Sequence, residues 1–330
     1  MKKKLILLPA LFAMLIFSVV LSVSFGTKQV QPEDILAAFG IGESTGFATE
    51  VVKARIPRTI FGILAGAALA ISGGLMQSVT RNPIADPSIL GVNSGAALFV
   101  VTGMAVFHIN NNTAMIWLAF TGALLTAFCV YGLASIGYNG ATPLKLALAG
   151  AAAGTALQSL VNTVMLPDTQ VMDQFRFWQT GSIGGASWED IHTMLPFFVV
   201  GFLVSILVAP SLNAMALGDE MAAGLGINVF LIRMTGTIAG VLLCAATTAL
   251  AGPIGFVGLM IPHLVRTVVG PDMRWGLPLS AIAGASLLVM SDVLGRVFGR
   301  PGELEVGIVT ALLGAPVFVY IVRRVKVSAT

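Results

Sequence analysis

The chain has 330 residues, of which 56 % are hydrophobic and only 10 % charged, with a net charge of +3. Soluble domains carry roughly a quarter charged residues, so this composition excludes an ordinary soluble fold. It also gives no nucleic-acid signature, because the basic residues flank apolar runs instead of forming a patch.

A bilayer core about 30 Å thick needs about 20 apolar residues per spanning helix. Ten such segments are expected near residues 5–25, 57–79, 90–107, 114–137, 144–166, 191–209, 228–249, 257–270, 276–295 and 306–323. The first follows Met1-Lys2-Lys3-Lys4 and reads as a retained span with a basic flank. A cleaved signal peptide ending at Ser22-Val23-Ser24 is the other reading. The eighth segment is short and holds Pro262, which suggests a broken or tilted piece. Fifteen prolines and 37 glycines suit a membrane bundle, where glycine permits close helix approach and neighbours re-satisfy backbone freed by proline. Cys129 and Cys244 lie inside apolar runs and read as small buried filler, not as a disulfide or metal site. The expected fold is an all-α, polytopic transmembrane helical bundle of about ten spans, forming a single domain over 1–330.

An even span count puts both termini on one side, and charge assigns that side to the cytoplasm. Its loops hold Lys2, Lys3, Lys4, Arg81, Lys145, Arg233, Arg266, Arg274, Arg323, Arg324 and Lys326, 11 basic residues against four acids, Asp86, Asp219, Glu220 and Asp272. The opposite face nevertheless keeps Arg55, Arg58, Arg296 and Arg300.

The chemistry available to the chain alone is limited. A phosphate-binding loop needs Gly-Lys-Ser/Thr, and none of the seven lysines follows a glycine. His108, His192 and His263 are scattered, and no His-Glu-x-x-His occurs. A self-powered transporter usually carries an ionisable residue well inside a span. Here the most embedded acid, Asp292, still lies close to an outer edge. Energy for any transport is therefore expected from a partner, and a secondary transporter is the weaker alternative.

Four stretches are too structured for plain connectors. They are Arg55-Ile56-Pro57-Arg58 continuing to Arg81-Asn82-Pro83-Ile84-Ala85-Asp86-Pro87; 216–226, in the longest cytoplasmic loop; Gly252-Pro253-Ile254-Gly255-Phe256 continuing to Arg266; and Arg300-Pro301-Gly302-Glu303-Leu304-Glu305 continuing to Pro316. Together, and in this order, they resemble the FecCD/cobalamin-type permease family of type II ABC importers, which take up iron-siderophores, haem and cobalamin. Glu305 departs from the pattern, since the family usually has proline after Glu-Leu.

The resemblance implies a permease subunit without an ATPase site, and no cofactor bound by this chain. ATP and Mg would sit on two partner ATPase subunits. A second permease subunit, of the same or a related chain, and an extracytoplasmic substrate-binding protein would complete the assembly in the cytoplasmic (inner) membrane of a prokaryote, among its lipids. An iron-siderophore-type chelate is the implied cargo, with haem or cobalamin as the alternative. Arg55, Arg58 and Arg296, with Arg300 beside them, match positions that dock acidic residues of the binding protein. Guanidinium forks suit carboxylates, while interfacial snorkelling is the other reading. The loop 211–228 matches a coupling helix seated in the ATPase, with Leu217, Gly218, Asp219, Glu220, Ala222, Ala223 and Gly224 as its contact residues. Asn82, Ile84, Thr142 and Pro143 match loops that close the inner end of the pathway. The small-residue run 147–156 suits a smooth pathway lining, but helix packing wants the same residues.

Overall fold

The computed structural model describes residues 2–41, 46–137 and 141–324, and every regular element among them is helical. In chain order these are α1 (Lys2–Ser24), α2 (Pro32–Ala38), α3 (Phe47–Thr80), a 3-10 turn (Pro87–Leu90), α4 (Val92–Ala105), α5 (Asn112–Ser135), α6 (Pro143–Met165), α7 (Thr169–Thr180), α8 (Trp188–Met215), α9 (Asp219–Gly224), α10 (Val229–Ala251), α11 (Val257–Val269), α12 (Met273–Phe298) and α13 (Val306–Arg324). Among the described residues, seven helices are long and apolar enough to cross a membrane. Shorter apolar helices at Val92–Ala105, Val257–Val269 and Val306–Ile321 occupy the remaining expected segments. The protein is thus a polytopic all-α membrane bundle.

The differences from expectation have local causes. Helix α3 begins at Phe47, ten residues before the expected start at Pro57, and runs through that proline. Proline removes the hydrogen bond to the carbonyl four residues back, and here that residue is Lys53, on an exposed side of the helix. The 13 residues of α11 reach only about 20 Å at 1.5 Å per residue, short of a full crossing. The chain enters it through Gly252 at φ 71° and Phe256 at φ 68°, left-handed positions that break helix continuity from α10. Helices α2 and α7 lie between spans and were not anticipated.

Helix α3 forms the axis, with 78 % of its most apolar stretch buried, and α10, α11 and α12 pack around it. Two contacts set its closest approaches. A Cβ on Gly66 would overlap the Gly284 carbonyl of α12, and one on Gly73 would overlap the Gly258 carbonyl of α11. No side chain can yield there, because both obstacles are backbone. Gly73→Ala is expected to destabilise the detergent-solubilised protein by at least about 2 kcal/mol. Gly132→Ala, with nothing within 4 Å of the added carbon, should be neutral or stabilising in the same thermal unfolding assay. In contrast, α1 and α6 are peripheral, with 11 % and 17 % of their most apolar stretches buried.

Candidate functional site

The candidate residues gather at the two ends of the bundle. At one end lie the four arginines of the expected docking face. Asp292, 2 % exposed, sits between two of them. Arg58 Nε donates to Asp292 Oδ1 and Oδ2 at 3.0 and 3.1 Å, and its Nη2 donates to Oδ1 at 2.6 Å. Arg296 Nη2 reaches Asp292 Oδ2 at 2.9 Å from the next turn of the same helix. The Glu303 carboxylate accepts from Arg58 Nη1 at 2.8 Å.

The remaining donors face the end of α1. Arg55 Nη1 donates to the carbonyls of Val23 and Ser24 at 2.9 and 3.2 Å, and its Nη2 to that of Lys28 at 2.8 Å. Arg296 Nη1 donates to the carbonyls of Ser22 and Phe25 at 3.0 and 2.9 Å. Arg300 Nη2 donates to the Gly26 carbonyl. A helix C-terminus leaves its last carbonyls unpaired and carries about half a negative charge. Three guanidinium groups therefore cap α1 and tie it to α3 and α12. The four expected docking arginines consequently differ in what they face. Arg55 and Arg296 are buried against α1, Arg58 is mostly covered by the two carboxylates, and Arg300 is exposed.

At the opposite end, α9 hangs between α8 and α10. Asp219, its first residue, accepts from Arg81 Nη2 through Oδ1 and from Arg233 Nη2 through Oδ2, the latter at 3.0 Å. Arg81 Nη2 also donates to the Met215 carbonyl at 2.6 Å, at the last turn of α8. Arg81 itself caps α3 in the left-handed conformation, φ 50°. For a non-glycine residue this costs on the order of 1–3 kcal/mol and persists where neighbours hold it. One carboxylate thus joins the short helix to α3 and α10, and the shared arginine adds α8. Ala222 is fully buried, whereas Gly224, Glu220 and Ala223 are exposed and Gly218 is half-buried. The outward face is apolar: Leu217, Met221 and Leu225 are 64 %, 62 % and 65 % exposed.

The loops expected to close the inner end lie on this same side. Asn82 Oδ1 accepts from the Ile84 amide at 3.1 Å, and Ile84 is 38 % exposed. Asp86 caps the 3-10 turn by accepting from the Ser88 amide at 2.9 Å. Desolvation pushes its carboxyl above the ordinary range, opposed in part by the bonds from Ser88. Thr142 caps α6 by accepting from the Lys145 amide at 3.3 Å, with Pro143 at the first helical position, where its missing N–H costs nothing. The two loops meet through α6, whose Gly150 abuts the Ile89 carbonyl of the 3-10 turn.

Sequence reasoning named Asp292, Glu303, Arg81 and Arg233, but not which candidate residues they pair with. Asp292 and Arg296 stand four residues apart on one helix, a spacing that was legible. Arg58 with Glu303 and Arg81 with Asp219 are separated by 245 and 138 residues and carry no local signal.

Comparison with known proteins places this architecture. Residues 14–324 match the FecCD transport family. The ferric enterobactin transport system permease protein FepD of Escherichia coli (strain K12) is 40 % identical, covering 97 % of this chain and 95 % of that protein. The Fe(3+)-citrate import system permease protein YfmD of Bacillus subtilis (strain 168) is also 40 % identical, covering 94 % and 92 %. A solved ABC transporter in an inward-facing conformation superposes with a TM-score of 0.83 at 27 % identity, covering 97 % of this chain and 99 % of that one. A match over nearly the whole chain, in sequence and in fold, makes this protein a member of the FecCD transport family.

Proposed function

We propose that the chain is the permease subunit of an ATP-binding-cassette importer that moves an iron-siderophore-type chelate across the cytoplasmic membrane of a prokaryote. The observation that carries this reading is the near end-to-end likeness to permeases named for ferric enterobactin and ferric citrate. Two relatives at equal identity with different cargo also mean that overall identity does not select the chelate.

In this reading the outward apolar face of α9, Leu217, Met221 and Leu225 with Glu220 beside them, seats in a partner ATPase, one on each of two permease subunits. Asp219 and Ala222 face the bundle and transmit its movement. At the other end an extracytoplasmic binding protein docks on exposed Arg300 and the rim of Arg58, while Arg55 and Arg296 act indirectly by holding α1. ATP and Mg are bound and turned over by the ATPase subunits. Asn82, Ile84, Thr142 and Pro143 close the inner mouth.

Reconstitution into vesicles with the cognate ATPase and binding protein tests the proposal. ATP-dependent uptake of a ferric siderophore is expected, with no nucleotide hydrolysis by the permease alone. Chelate uptake by the permease alone, driven by a proton gradient and indifferent to ATP, would establish a secondary transporter instead.

A further inference from the structure

Arg266, in the last turn of α11, takes no part in the two ends of the bundle described above. It is half-buried, yet no hydrogen bond or ion pair holds its guanidinium among the described residues. Its nitrogens are nevertheless not sealed from solvent. They belong to the wall of a cavity of about 240 Å³ between the ends of α3, α8 and α11 and the start of α12. Arg81 lines the same cavity from the end of α3. Its Nη2 is engaged by the Met215 carbonyl and the Asp219 carboxylate, while Nε and Nη1 have no partner among the described residues.

The polar side chains around these two cations are already committed. Ser78 Oγ donates to Met273 Sδ at 3.1 Å. Asn213 Oδ1 accepts from the Met273 amide at 2.7 Å, and its Nδ2 donates to Asp272 Oδ1 at 2.7 Å. Gln77 Nε2 donates to the Leu259 carbonyl at 3.0 Å, and its Oε1 is sealed from solvent. Two carboxylates lie nearby and both are engaged. Asp219 bonds Arg81 and Arg233, and Asp272 bonds Asn213 and the Arg274 amide. A guanidinium carries five N–H donors in a fixed fork and no acceptor. The cavity therefore presents two partly desolvated forks and no anion of its own to fill them.

We propose that this cavity binds a phosphate group, held between Arg266 and the free edge of Arg81. The two guanidiniums come from different helices and share one space. A tetrahedral oxyanion offers oxygen pairs in different planes, so it can accept from both forks, whereas a carboxylate has a single plane that one fork fills. The volume admits such an ion, since a water's share of liquid volume is about 30 Å³. The clamp on α9 is left intact, because the anion uses the Nε and Nη1 edge of Arg81 and Asp219 uses Nη2. A bound phosphate would thus tie α11 to the point where α3, α8 and α9 already meet. It would also supply Arg266 with the counter-charge that the chain does not. A free phosphate and a phospholipid headgroup carry the same chemistry to this end of the bundle. Water alone, or a carboxylate from a partner protein, are the competing occupants.

The test uses the full chain in a phosphate-free maltoside detergent at fixed ionic strength. Inorganic phosphate is expected to raise the unfolding temperature saturably, while chloride and acetate do not. Arg266→Gln should weaken that response at least about tenfold in phosphate concentration, the loss of charge-assisted hydrogen bonds. Arg274→Gln, at an exposed position on the same side, should keep the parental response. Ala216→Phe fills the cavity from the end of α8, spares both arginines and should abolish the response, which keeps the test open if Arg266→Gln fails to fold. Phosphatidylglycerol titrated against phosphatidylcholine separates the sources. Stabilisation by phosphatidylglycerol and not by inorganic phosphate, again lost with Ala216→Phe, would assign the site to a lipid headgroup. No stabilisation by either would overturn the proposal and leave the cavity to water or a partner's carboxylate. A response that survives in both Arg266→Gln and Ala216→Phe would place the anion elsewhere and overturn it equally. No chelate and no ATPase enter these measurements, so the permease reading stands or falls separately.

Discussion

Asp292→Ala should be among the most destabilising single changes in the chain, costing about 3–5 kcal/mol. The carboxylate is 2 % exposed and bonds both Arg58, whose side chain is 12 % exposed, and Arg296, which is 2 % exposed. Its removal leaves two guanidinium groups facing each other without the anion that separates them. Two of the four arginines, Arg58 and Arg296, bond the carboxylates of this cluster, and the carbonyls at and beyond the end of α1 accept from Arg55, Arg296 and Arg300. Losing Asp292 therefore also lets Arg296 shift away from Ser22, so α1 should loosen. Thermal unfolding in detergent would register the stability loss, and protease cleavage within 25–31 would register the loosening. Asp292→Asn should behave similarly, since it keeps the shape and removes the charge. Arg300→Ala, at an exposed position with one bond, should stay within about 0.5 kcal/mol of the parent. Equal stability of the Asp292 and Arg300 variants would show that the cluster is solvated and not structural.

Asp219→Arg should reduce ATP-driven uptake at least about 100-fold while the protein still inserts and assembles. The side chain is 45 % exposed, so solvent screens the pair and folding should suffer little. Its importance is positional. Asp219 is the side chain that fixes the first turn of α9 to Arg81 at the end of α3 and to Arg233 in α10. An element that two states of an ATPase dimer push must be tied to the spans if they are to move with it. With arginine in its place, three like charges meet and α9 swings free. Hydrolysis by the ATPase subunits should then continue with little uptake, which lowers cargo moved per ATP. Combining Asp219→Arg with Arg81→Asp re-creates an opposite pair and should recover part of the coupling. Parental uptake by Asp219→Arg would sink this role for the clamp.

Much of the candidate site was legible as residue types, and little of it as geometry. The unusual outer arginines stood out because basic residues are disfavoured on that face. Their orientation toward α1 did not, since Arg296 meets Ser22 across 274 residues of sequence. The loop at 216–226 stood out through its small residues. Which of them turn inward was settled by packing, with Ala222 buried and Ala223 exposed on adjacent positions. Glycines 66 and 73 were visible as part of a small-residue helix. Their partners, Gly284 and Gly258, were not.

The sequence by itself determined the membrane class, the ten apolar segments and the family resemblance. Hydropathy over about 20 residues and short motifs are local properties, and a helix in lipid satisfies its own backbone wherever it stands. Tertiary structure alone decided what each helix face meets. The run 147–156 in α6 suits packing and pathway lining equally as sequence, because small residues serve both. Only the fold separates packed from uncovered positions of α6, with Leu146, Gly150 and Val161 buried and Thr155, Ser159 and Asn162 exposed. The same holds for charge. An arginine's neighbours come from distant segments, so whether it docks a partner or caps a helix is fixed by the fold and not by its own stretch of chain.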